Sequence, residues 1–158
     1  EKLRAIVAID TPPDYSQRAV DFLKSMSQKP ARRFETFDEA TANFRLLPRE
    51  TSAKKEVLEH VARFTFKPTG DGAWTHKLDR RTMIREPLDI WDDLGKITCP
   101  ALVIKLLKSP VFDREAALKM TAAMPKGKYA EIDSYHHVTF DHPEALSAVL
   151  DAFLNEIG

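Results

Sequence analysis

Hydrophobic positions along the chain fall into stretches of two periods. Residues 3–9 (LRAIVAI) and 101–104 (ALVI) are apolar runs of strand length, the pattern of strands buried on both faces of a parallel sheet. Residues 129–132 (YAEI) predict a third strand. Elsewhere the period is helical. Ala19, Val20, Phe22, Leu23 and Met26 predict a helix over 15–26, and a second is predicted over 37–47, capped by Asp38 or Thr36. Val57, Leu58, Val61 and Phe64 predict a third over 51–64. Residues 73–79 read as extended or irregular, and 88–94 as a short helix. Asp113 caps a predicted helix over 114–124, which stops before Pro125. The clearest pattern comes last. Leu146, Val149, Leu150, Phe153, Leu154 and Ile157 recur at helical spacing, and Pro143 and Glu144 suit a first helical turn. With segment 15–86 standing in for one crossover, strands and helices alternate. That alternation predicts an α/β fold, a parallel sheet with flanking helices and right-handed crossovers. The chain divides accordingly into 1–14 (first strand), 15–86 (helical) and 87–158 (return to the sheet).

Composition narrows the function classes. A chain of 158 residues, 43% of them hydrophobic, can bury a sizeable core. Lys plus Arg equals Asp plus Glu at 24 each, which offers no electrostatic footprint for nucleic acid or an anionic membrane. Apolar runs are too short to span a bilayer. Cys99 is the single cysteine, so no internal disulfide or cysteine-based metal site is expected, and beside Pro100 it reads as a small buried residue. One free thiol and no visible signal segment fit a cytoplasmic location, while the start at Glu1 leads us to expect that residues ahead of it were removed.

The candidate chemistry lies in residues 133–142, which hold three of the five histidines: His136, His137 and His142. A histidine at the C-terminal end of a strand, just ahead of a helix, stands where open α/β sheets place their reactive groups. In an extended loop His136 and His137 point apart, His142 precedes a proline, and no Glu or Cys cluster completes a zinc set. No metal is expected.

Strand, histidine loop, Pro143 and closing helix together resemble the C-terminal end of the α/β-hydrolase family. There the catalytic histidine stands seven residues ahead of the proline, which corresponds to His136; the family's usual glycines are replaced by Asp133, Ser134 and Tyr135. The run Trp91–x–x–Leu94–x–x–Ile97–x–Cys99–Pro100–x–Leu102–x–Ile104 resembles the family's return from lid to sheet. Ile9-Asp10-Thr11-Pro12-Pro13 resembles the end of the strand that follows the nucleophile helix. The resemblance implies a partial α/β-hydrolase fold, a helical lid at 15–86 plus the last three strands. It implies esterase-like chemistry with His136 as general base, then acid. Asp10 holds the imidazole, and Asp113 is the alternative acid. The family's other place for that acid corresponds to about Pro110, which cannot serve.

No Gly-x-Ser-x-Gly occurs, and none of the seven serines is flanked by glycine. The nucleophile is therefore expected upstream or on another chain, and this chain alone is expected to be inactive. A parent with an aspartate nucleophile, of the dehalogenase or epoxide-hydrolase kind, is a further alternative, ranked below a serine. No cofactor is implied. The aromatics of the lid segment (Phe34, Phe37, Phe44, Phe64, Phe66, Trp74) fit packing, or a small lipophilic ester-like substrate. Its arginines (Arg32, Arg33, Arg45, Arg80, Arg81) read as a solvated face rather than a carboxylate clamp. A reading of a different class is an inactive or assembly form. Strand 3–9 would then be an apolar edge, covered by a complementary N-terminal fragment or by a second copy of the chain.

Overall fold

The computed structural model describes residues 3–158. In chain order the strands are β1 (Ile6–Ile9), β2 (Arg33–Phe34), β3 (Phe66–Pro68), β4 (Trp74–His76), β5 (Ala101–Leu106) and β6 (Gly127–Ile132). The α-helices are α1 (Gln17–Ser27), α2 (Phe37–Ala42), α3 (Lys55–Thr65), α4 (Arg114–Ala123), α5 (Val138–Asp141) and α6 (Pro143–Ile157). The chain forms two compact units. The first takes in the chain up to Asp14, Glu50–Ser52 and Leu88–Gly158; the second is Tyr15–Arg49 with Ala53–Pro87.

The first unit is built on a parallel sheet of order β1-β5-β6. Its middle strand is buried along its whole length, as a strand covered on both faces must be. Side chains alternate between the faces. Ala101 and Val103 join Leu94, Phe112, Ala117, Met120 and Met124 on one side. Leu102, Ile104 and Leu106 join Ile132, Val138, Leu146 and Phe153 on the other. Helix α4 thus covers one face and α6 the other. Asp113 caps α4, accepting the Ala116 N–H at 2.8 Å.

Strand β1 is shorter than the 3–9 run because its ladder starts where Ile6 meets Ala101, and Leu3 remains exposed. The short helix expected over 88–94 is instead a 3-10 turn at Trp91–Lys96. Ahead of it the chain runs alongside residues 13–14: Ile90 donates to the Pro13 carbonyl and Asp89 bridges Asp14. Trp91 Nε1 donates to Asp14 at 2.8 Å, which ties the turn down. Cys99 is half-buried rather than fully buried.

In the second unit the helix expected over 37–47 ends at Ala42, where the Asn43 backbone N–H and side-chain amide both donate to the Glu39 carbonyl. Its cap is Thr36, which accepts the Glu39 N–H. Helix α3 starts at Lys55, later than the expected 51, since Thr51 and Ser52 spend their capping groups on Asp141. A small antiparallel sheet of order β2-β4-β3 was not legible in the sequence. Its strands are two or three residues long, too short to display a period of two. Phe34 and Phe66 meet edge to face at 5.7 Å over the buried Ala40.

Gly127 opens β6 directly against the end of α4. A Cβ there would collide with the Thr121 carbonyl and lie 3.2 Å from the Met124 carbonyl. Gly127→Ala is expected to lower stability by about 3 kcal/mol. Urea unfolding followed by circular dichroism measures it, and an unchanged midpoint would refute the close approach.

Candidate active site

Strands β1 and β5 pair with Ile9 opposite Ile104, and the Asp10 N–H continues the ladder to the Ile104 carbonyl at 2.8 Å. At Asp10 the backbone turns left-handed (φ 47°), a conformation that aspartate tolerates better than most residues. The carboxylate ends up 1% exposed. A lone buried carboxylate would be costly, so its two oxygens need partners.

Oδ2 has His136, whose Nδ1 lies 2.8 Å away. A carboxylate only accepts, so Nδ1 carries the shared proton, and in the neutral ring Nε2 is then the nitrogen with the lone pair. The His136 side chain is 30% exposed, which leaves Nε2 a route to a reactant. Oδ1 makes no hydrogen bond, and its compensation is the ammonium of Lys105 at 3.7 Å. Lys105 is itself 4% exposed and donates to the Leu106 carbonyl and, at 3.0 Å, to the Ser109 carbonyl. One cation therefore ties β5, the loop after it and the Asp10 carboxylate together. Lys105 was not among the candidate residues of the sequence. A single lysine in an apolar strand (ALVIKL) was the available signal, since such a residue stays buried only when paired.

The histidine loop contains a helical turn. After Ser134, which is fully buried, the chain winds into the single turn α5, and the Asp141 N–H returns to the His137 carbonyl at 2.9 Å. Asp141 accepts from Thr51 Oγ1 and from the Ser52 N–H, so the segment Glu50–Ser52 anchors the turn that follows His136. His137 stands edge-on to His136 and stacks on Phe140, while His142 precedes α6. Asp113 caps α4 as described; the histidine's carboxylate partner is Asp10. Among the described residues no group of three or more His, Cys, Asp or Glu side chains could hold a metal ion. The arrangement is a partly exposed histidine whose Nδ1 is held by a buried carboxylate.

No family model matches the chain, and no curated protein matches it by sequence. Solved structures do. A Rickettsia typhi protein whose hydrolase assignment is provisional superposes with TM-score 0.76 at 17% identity, over 98% of this chain and 54% of its own. E-2-(acetamidomethylene)succinate hydrolase gives TM-score 0.72 at 20% identity, over 97% and 58%. A peroxisomal α/β-hydrolase of Saccharomyces cerevisiae gives 0.70 at 11%, over 98% and 46%. The chain spans about half the length of these proteins. Its fold is a partial α/β-hydrolase fold, a parallel sheet with flanking helices.

Replacing Lys105 by Met leaves Asp10 Oδ1 buried without compensation and is expected to cost about 3–5 kcal/mol. Combined with Asp10→Asn the loss should be well below the sum of the two single losses. A double-mutant cycle by urea unfolding reads this coupling, and strict additivity would refute the pair.

Proposed function

We propose that this chain contributes the proton-relay half of an α/β-hydrolase active site acting on small lipophilic esters. The nucleophile is supplied by a polypeptide segment outside these 158 residues. The observation that carries the reading is the 2.8 Å contact between His136 Nδ1 and the buried Asp10 carboxylate, at the ends of two strands of a parallel sheet.

In this reading His136 Nε2 takes the proton of a serine hydroxyl as its oxygen bonds to the ester carbonyl carbon. It returns that proton to the departing alcohol as the tetrahedral intermediate collapses. Water then repeats the cycle on the acyl group and frees the acid. Asp10 keeps the proton on Nδ1 and stabilises the imidazolium while it lasts. Lys105 holds the Asp10 carboxylate in place without touching the reactant. An aspartate nucleophile would use the same pair, His136 then activating water against the covalent ester. The helical unit is assigned the role of lid by its place in the chain, between β1 and β5. No helix of the described residues is long and apolar enough to cross a membrane.

The second reading, an assembly form, rests on β1. Among the described residues it pairs only with β5 in the sheet, and it keeps Val7 partly exposed, as an open edge would.

Native mass spectrometry of the purified protein, followed by fluorophosphonate labelling, separates the two readings. The hydrolase reading expects a companion polypeptide carrying Gly-x-Ser-x-Gly that takes the label. His136→Gln should then slow its labelling on the order of 10⁴-fold. A homodimer without a labelled companion would leave the assembly reading standing.

A further inference from the structure

The helical unit has a half-open cavity of about 310 Å³, the lower end of the size range for small-molecule sites. Its apolar lining includes the buried rings of Phe34 and Phe66 with Met26, Leu78 and Met83. Its charged lining is of one sign. Arg32, Arg45, Arg49 and Arg80 border it, and no aspartate or glutamate among the described residues does.

Two other arginines of this unit are neutralised. Arg33 pairs with Asp71, and Arg81 with Asp79, whose carboxyl is pulled down to about 2 by that guanidinium. The four at the cavity form no ion pair among the described residues and spend donors only on neutral acceptors. Arg80 donates to the Met26 carbonyl at 2.9 Å, Arg45 to the Ala42 carbonyl at 2.9 Å, and Arg32 to Asn43 Oδ1 at 3.1 Å. Arg32 also lies over the Phe34 ring, 4.9 Å from its centre. These bonds hold three guanidiniums in place and leave most of their five N–H groups open.

His76 adds to the same polarity. Its Nδ1 accepts the Leu78 N–H at 2.9 Å, so the neutral ring carries its proton on Nε2 and is a donor there. Burial, with Arg80 adding to it, holds this imidazole below its ordinary pKa. A cavity with an apolar wall, four unpaired guanidiniums and no carboxylate among the described residues of its lining is complementary to one kind of molecule.

We propose that this cavity binds a small amphiphilic carboxylate, its head against the arginines and its hydrocarbon body on Phe34, Phe66 and Met83. This binding does not depend on the role assigned to His136, and the nucleophile is not needed to observe it.

Isothermal titration calorimetry on the intact chain, with octanoate, octanol and acetate as probes, tests the proposal. Octanoate is expected to bind at least about ten-fold tighter than either control, and less tightly as salt is raised. Arg49 makes no hydrogen bond among the described residues, so Arg49→Met should keep the melting temperature while weakening octanoate about five- to ten-fold. Arg32→Met should act in the same direction. Octanoate should also move the ring resonances of His76. Octanol matching octanoate would reduce the site to an apolar hole, and acetate matching it would reduce it to surface charge. Either result, no binding at all, or full affinity in both arginine variants overturns the proposal.

Discussion

Burying the Asp10 carboxylate is the constraint around which the first unit is arranged. Removing such a group from water costs several kcal/mol unless each oxygen finds compensation. One oxygen finds His136, 126 positions away in the chain; the other finds Lys105 on the neighbouring strand. Neither contact survives a slip in register. The pairing of Ile9 with Ile104 sets Asp10 beside Lys105, and the pairing of Leu106 with Ile132 brings the histidine loop to the same end of the sheet.

Strand β5 makes that register hard to change. Every residue in it is buried, and alternate side chains feed two separate apolar clusters. A shift by one residue would exchange the faces and drive Lys105 into the cluster around Phe153 and Leu146. Hydrophobic packing thus supplies the rigidity, and the ionic contacts convert it into a fixed imidazole. The order matters for function, because an oriented histidine is useful only if its carboxylate cannot wander.

Elements long enough to show a period were legible in the sequence: β5, β6, α4 and α6 lie where the apolar spacing put them, and Asp113 caps α4. Elements set by competition between neighbours were not. Residues 88–90 leave the helical pattern because Pro13 and Asp14 offer them partners. Helix α3 starts late because Asp141, far along the chain, claims Thr51 and Ser52. In each case a distant residue outbids local propensity, and no window of sequence contains both partners.

The same division holds for the chemistry. The sequence by itself determined the alternation of strands and helices, the place of His136 before the last helix, the lone acid at the end of the first strand and the lack of a Gly-x-Ser-x-Gly turn. Those are properties of spacing and residue type, and they are written locally. Only the tertiary structure decided that Asp10, not Asp113, faces the imidazole, that Lys105 is the carboxylate's second partner, and which arginines stay unpaired. Arg33 and Arg81 look no different from Arg32 and Arg80 in the sequence. Charge pairing depends on distances of a few ångströms between residues far apart in the chain, and only folding sets those distances.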